Sequence, residues 1–438
     1  MFEAAIVLVI GLCVFLVRRV CAALSLRRTA GWIMGGVIVA LVVASMLPNL
    51  AGPGFNVQAW RPFSTVGYIT MTYLPYLAFG LLVVWVVDVI WRKSELRSTS
   101  LEVTSAELPA TQVWDPSADS ATGTQVLESC VTVSEAELRA PSPETGPTLP
   151  AKTLTKSLRA NTIQYLTIGV MVLAAGVVGY GYWRALTPSI NQVEFAHAQV
   201  PQAFDGYRVA LVTDLHIGPS RGGEWLQQRV DQINAEDVDL VLIVGDLVDG
   251  VPAQIGDEML PILNINARDG VYITTGNHEY YADAQAWVDF WESHGIDVLT
   301  NESVVISRDG ASIDLVGIND RTGTPPLAAD VAEAIATLPS TASDTGRFRL
   351  LAAHQPVQAL AGDNLASQLG IDLQVSGHTH GGQVWPVHYL AELQQGVLDG
   401  VHELGGVTVV TSRGAGAWGP PVRIGAPPEI IVITLRAM

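Results

Sequence analysis

The chain has 438 residues, 49% of them hydrophobic, and a formal net charge of −18. That balance argues against a protein that grips nucleic acid through a basic stripe, but bound metal ions would reverse the local field for a small phosphorylated substrate. The three cysteines, Cys13, Cys21 and Cys130, all precede residue 185, so the chain beyond that position has neither disulfides nor thiolate metal ligands.

Apolar residues are concentrated before residue 185. Ala4 to Val17 is wholly apolar and ends at Arg18-Arg19, and the apolar character resumes from Val20 to Leu26 before Arg27-Arg28. Further apolar segments run from Gly31 to Leu47, Gly67 to Trp91 and Ile163 to Trp183. Each is near the roughly 20 residues that cross a bilayer, the first being the shortest. A signal peptide is the competing reading of the first, and Arg27-Arg28 could pass for a twin-arginine signal. Two further spans come after these and no convincing small-residue cleavage site appears, so four retained membrane helices are expected.

Basic residues set the expected orientation. Arg18, Arg19, Arg27 and Arg28 lie between the first two spans; Arg92, Lys93 and Arg97 come after the third; Lys152, Lys156 and Arg159 precede the fourth. The loop between spans two and three carries only Arg61. This places residues after Trp183 outside the cytoplasm. The expected domains are a membrane region over 1–93 and a linker over 94–160, then a fourth span over 161–185 and a second domain over 190–438. The linker is rich in Ser, Thr, Pro and Glu and reads as disordered, because it can bury too little surface to offset its ordering entropy.

From about residue 190, strand-like runs alternate with helical spacing. The runs are Tyr207 to Val212, Leu240 to Val244, Gly270 to Thr275, Ser312 to Gly317, Phe348 to Ala353, Leu373 to Ser376, Val407 to Thr411 and Ile430 to Leu435. Between them, Trp225, Leu226, Arg229, Val230 and Ile233, and then Ala284, Trp287, Val288 and Trp291, recur at helical spacing. The pattern predicts an α/β sheet sandwich with ligands at strand ends, and the aromatics read as core.

Five strand ends carry chemistry. They are Thr213-Asp214-Leu215-His216, Gly245-Asp246-Leu247-Val248-Asp249-Gly250, Gly276-Asn277-His278-Glu279, Ala353-His354-Gln355-Pro356 and Gly377-His378-Thr379-His380-Gly381-Gly382-Gln383. Together they hold five of the nine histidines, which packing alone does not explain. Asp214 and His216, at i and i+2, can point the same way from an extended segment. Carboxylates, an amide and imidazoles without thiolates suit two divalent ions drawn from Mn, Fe or Zn, a pair that can clamp a phosphate.

In this order, the motifs Asp-x-His, Gly-Asp, Gly-Asn-His-Glu, His and Gly-His-x-His resemble those of the calcineurin-like metallophosphoesterases over about residues 195–438. Gly377 to Gln383 and the tail from Ser412-Arg413-Gly414 to Pro427-Pro428-Glu429-Ile430 are similar to that superfamily's bacterial membrane-associated or exported branch. The resemblance implies an α/β fold, a β-sandwich flanked by helices, here preceded by a helical transmembrane region. It implies one metal on Asp214, His216 and His380, a second on Asn277, His354 and His378, and Asp246 bridging them. His278 would contact the phosphate and protonate the leaving oxygen. Asp249 and Glu279 fall outside the usual ligand set, with Glu279 expected to orient His278.

The expected protein is therefore a membrane-anchored phosphoesterase that uses metal-bound hydroxide on a phosphomonoester or phosphodiester, such as a lipid headgroup or cell-envelope phosphate. The alternative is a membrane sensor or transporter-associated domain that only binds a phosphorylated ligand. Against it, the four spans contain few ionisable residues, with Asp88 beside Arg92 near a membrane end. A nuclease is disfavoured by the acidic balance.

Overall fold

Long apolar runs form helices that bury only part of their surface in the protein, and they continue through Pro48, Pro62 and Pro75. The computed structural model describes residues 2–106, 151–339, 346–360 and 366–438. Its N-terminal region consists of α1 (Phe2–Ala23), α2 (Arg28–Leu50), α3 (Val57–Ala106) and α4 (Ala151–Leu186). Cys13, Leu16 and Val20 of α1 pack with Val42 of α2 and Leu74, Leu77 and Leu81 of α3. Among the described residues, Arg28–Leu50, Val57–Glu95 and Ser157–Leu186 are long and apolar enough to cross a membrane. The opening stretch of α1 is helical, but most of its side chains lie outside the described residues.

Both flanks of the expected linker are helical, because α3 continues to Ala106 and α4 begins at Ala151. Extending an existing helix costs far less than nucleating one, so helix can outrun the apolar segment that starts it. The rest of the expected linker, 107–150 with Cys130, lies outside the described residues.

Beyond α4 the described residues form twelve strands. The first sheet contains β1 (Ser189–His197), β2 (Arg208–Val212), β3 (Leu240–Val244), β4 (Val271–Thr274), β5 (Asp297–Val298) and β12 (Glu429–Ala437) in the order β1-β12-β2-β3-β4-β5. The second contains β6 (Glu302–Arg308), β7 (Ala311–Gly317), β8 (Arg349–Ala352), β9 (Leu373–Ser376), β10 (Gly400–Leu404) and β11 (Val407–Thr411) in the order β10-β11-β9-β8-β7-β6. β2 to β5 are parallel, as are β7, β8, β9 and β11. Their ligand-bearing ends therefore lie on one side of the sandwich.

Period-two alternation builds the core. Leu211, Leu242 and Ile433 from one sheet meet Leu315, Leu350 and Val375 from the other. The intervening residues Ala210, Val241 and Val432 pack instead with Leu226 of α5 (Gly223–Asn234), Met259 of α6 (Pro252–Met259) and Trp287 and Trp291 of α8 (Ala284–Ser293). Further helices of the domain include α7 (Asn277–Tyr281), α9 (Val331–Ala336) and α10 (His388–Gln395).

The helical region is fastened to the sandwich at several points. Val57 of α3 is part of the core under α5 and α6. Arg61 pairs with Glu258 of α6 and donates to the Gly218 carbonyl. The Arg423 amide donates to Gly181 O of α4 at 2.9 Å. The Tyr76 hydroxyl donates to the Trp385 carbonyl.

Candidate metal centre

Two strand-end loops run side by side to form the floor of the site. The amides of Asp214, His216 and Ile217, after β2, donate to the carbonyls of Gly245, Asp246 and Leu247, after β3, at 3.1, 3.1 and 2.9 Å. Asp214 and His216 are not extended, as the sequence pattern implied, but left-handed, with φ of 56° and 47°. Asp246, His378 and His380 share that region. Such backbone costs about 1–3 kcal/mol per residue and persists only where its surroundings over-determine it. Here the loop–loop hydrogen bonds supply that constraint. Gly245 is required by contact as well as by its φ of 73°, since a Cβ there would stand 2.5 Å from His354 Nδ1.

Each side chain is then aimed by its neighbours. His354 Nδ1 donates to the Val244 carbonyl at 2.9 Å, which leaves Nε2 for the site, 3.1 Å from Asp246 Oδ2. Asp214 Oδ2 accepts from the His378 amide at 3.0 Å, and Asp246 Oδ1 from the His278 amide at 2.8 Å. His216 Nε2 and His380 Nε2 face each other at 3.0 Å, with Asp214 Oδ1 3.3 Å from the latter.

The donor atoms fall into overlapping groups. Asp214, His216, Asp246 and His380 place one ligand atom each within 4.8 Å of one another, and so do Asp246, His354 and His378. Asp246 belongs to both. Asn277 Oδ1 and His378 Nδ1 are buried without a hydrogen-bond partner, and His354 Nε2 has the Asp246 carboxylate beside it. Buried polar atoms ordinarily have partners, so atoms left open beside Asp246 match the needs of a cation; Asn277 directly precedes His278, whose amide binds Asp246 Oδ1. The seven residues therefore fit a pair of divalent ions on donor chemistry.

The protein groups alone set up a steep electrostatic gradient. Burial pushes the Asp246 carboxyl up, but the imidazoles of His354, His278 and His216 overcome it and hold the group well below the usual carboxylate range. His278 shows the opposite balance. Burial lowers its pKa, whereas Asp246, Asp249 and Glu279 raise it to about 9. His378 is lowered to about 4, by burial first and then by His354. His380 is lowered well below its ordinary value by burial, Arg423 and His216.

Two expectations about supporting residues change. Glu279 does not orient the His278 ring. It accepts from the amides of Asp246, Leu247 and Gly276 at 3.0, 2.7 and 2.6 Å, and so braces the backbone beneath Asp246. Asp249 takes the orienting place: its Oδ1 lies 2.7 Å from His278 Nδ1 and 2.9 Å from His216 Nδ1. Glu279 sits on a helical turn whose side chain is directed back at the amides of the turn, away from the ring next door.

Arg423 was invisible in the sequence, where it is one arginine in a Val-Arg-Ile run. It is buried, donates to the carbonyls of His380 and Gly416, and places Nη2 3.1 Å from His380 Nδ1. Arg221 is likewise buried; Nη1 donates to Ala417 O at 2.8 Å, and Nη2 has no partner.

Two mixed sheets with a buried Asp/His/Asn cluster where their parallel strands end define a metallophosphoesterase domain. Residues 207–382 match the calcineurin-like phosphoesterase family. An uncharacterized metallophosphoesterase of Campylobacter jejuni is 32% identical over 274 residues, covering 61% of this chain and 69% of that protein. A Helicobacter pylori metallophosphoesterase is 31% identical over 64% of this chain and 72% of its own length. A protein of Danio rerio described as a transmembrane protein with a metallophosphoesterase domain is 33% identical, over 62% of each chain. The chain belongs to the calcineurin-like metallophosphoesterase family.

Proposed function

We propose that this protein is a membrane-anchored phosphoesterase that hydrolyses a phosphomonoester or phosphodiester of a lipid headgroup or the cell envelope, with its catalytic domain on the extracytoplasmic face. The observation that carries the catalytic part is the buried Asp246 carboxylate grouped with His354 and His378, where His378 Nδ1 has no partner. Asp214, His216 and His380 would hold one ion, Asn277, His354 and His378 the other, and Asp246 both. Bound there, Mn, Fe or Zn ions would supply an activated water and neutralise charge on the phosphate.

The rest of the chemistry falls to side chains. The carboxylate of Asp249 accepts from His278 Nδ1 and stabilises the imidazolium, so Nε2–H is free to protonate the departing oxygen. Glu279 keeps the Asp246 loop in place through three amides. Arg423 holds His380 by its carbonyl and disfavours its protonation. The extracytoplasmic placement rests on the arginine distribution around the spans.

The test is turnover by the purified full-length protein with Mn²⁺ on p-nitrophenyl phosphate, its diester analogues and a panel of phospholipids. Hydrolysis of at least one, lost on chelation and restored by metal, is expected. Failure on all of them with two ions bound would sink the proposal.

A further inference from the structure

α10 carries its apolar side chains on the wrong face for a globular domain. Its buried residue is Gln395, whereas Leu393 is 84% exposed, Leu390 67% and Tyr389 63%. These three lie at i, i+1 and i+4, a single stripe opposite the side that meets the domain. Trp385 and Val387, just before the helix, are exposed as well. A contiguous patch of large apolar residues on a water-facing surface marks an interaction site.

Its position identifies the partner. The Trp385 carbonyl accepts from the hydroxyl of Tyr76 on α3. With α3 crossing the bilayer as a membrane anchor, Arg92 and Lys93 mark one boundary. Tyr76 lies about 24 Å from Arg92 along the helix at 1.5 Å per residue. The hydrocarbon layer is about 30 Å thick, and any tilt of α3 brings Tyr76 closer still to the Arg92 boundary. The exposed patch thus begins beside the membrane-facing part of α3, about 6 Å or more on the hydrocarbon side of the far headgroup layer, the depth of roughly 5–10 Å to which an interfacial helix sinks its apolar face. Tryptophan and tyrosine favour that layer, and a helix with an outward apolar stripe lies within it.

The same segment is tied to the metal centre. His388 opens α10, and a Cβ on Gly382 (φ 73°) would stand 2.1 Å from His388 Cα. Gly382 is two residues from His380. Bringing α10 into the lipid therefore sets the loop of His378 and His380 at the membrane surface.

We propose that Trp385, Val387, Tyr389, Leu390 and Leu393 form an interfacial anchor seated in the lipid leaflet next to the active site, which favours an amphiphilic phosphoester held in that leaflet. This rests on the proposed membrane-anchored phosphoesterase. The experiment uses the full-length protein, with its three cysteines replaced, in phosphatidylcholine/phosphatidylglycerol vesicles. Spin labels are placed at Leu390→Cys, Leu393→Cys, Val172→Cys on α4 and Glu292→Cys on α8, and their collision with oxygen and with a water-soluble nickel chelate is measured. Labels at 390 and 393 should resemble 172, with several-fold less nickel contact than 292. If 172 is lipid-shielded but 390 and 393 match 292, the anchor is refuted while the membrane reading stands. If 172 also matches 292, the membrane reading fails and the anchor falls with it.

Discussion

Asp249→Asn isolates the charge that faces His278, the proposed general acid. Asn keeps an oxygen able to accept from the Nδ1–H of both His278 and His216, so the geometry can persist while the negative charge is lost. The Asp249–His278 contact is 2.7 Å and largely buried. A hydrogen bond to a charged group contributes about 1.5–3 kcal/mol, and one pKa unit is about 1.36 kcal/mol. The substitution should therefore lower the His278 pKa by about 1–2 units. In the protein groups alone that pKa is about 9, raised above the ordinary value against the opposing effect of burial. The acid form exists below the pKa, so turnover that needs it is lost as pH rises through that value. The alkaline limb of kcat should move toward acid by the same roughly 1–2 units. Bound ions displace both profiles together, so the difference between variant and wild type carries the test. The assay is kcat against pH on an alkyl phosphate, with p-nitrophenyl phosphate as the ester that needs little protonation. An unmoved alkaline limb on the alkyl ester, with two ions still bound, would refute the role given to Asp249.

His278→Ala should retain both ions and lose turnover by about 10²–10⁴-fold, with a smaller loss on p-nitrophenyl phosphate; loss of an ion on metal analysis would instead make it a ligand. Asp246→Asn should abolish activity and lower metal content, and full occupancy by two ions would exclude the bridging role. Glu279→Ala strands three buried amides at about 1–3 kcal/mol each before water or relaxation intervenes, so thermal denaturation should show a clear fall in Tm; an unchanged Tm would remove its bracing role. A reporter active only outside the cytoplasm should work when fused after Met438 and be silent near Gly123, and the reverse pattern would overturn the orientation.

The sequence by itself determined most of the sandwich, and its omissions obey one rule. All eight strand-like runs correspond to interior strands, β2, β3, β4, β7, β8, β9, β11 and β12. The four strands it did not show, β1, β5, β6 and β10, are the outer strands of the two sheets. An interior strand has neighbours on both sides and is covered, so it reads as a hydrophobic run. An edge strand such as β10, Gly-Val-His-Glu-Leu, is largely exposed, and its pairing leaves little trace in composition. The ordered Asp, Asn and His motifs were legible for a related reason, because ligands must come directly after the interior strands that deliver them.

Tertiary structure alone decided how those ligands are held. Arg423 reaches His380 across 43 positions, and no local pattern marks a buried arginine that pairs with carbonyls. The choice between Asp249 and Glu279 depended on where a short helical turn directs its side chain, a matter of backbone angles rather than residue type. The outward apolar face of α10 is the same kind of case. Only its packing against the His380–Gly382 turn shows that Tyr389, Leu390 and Leu393 face away from the domain while Gln395 is buried.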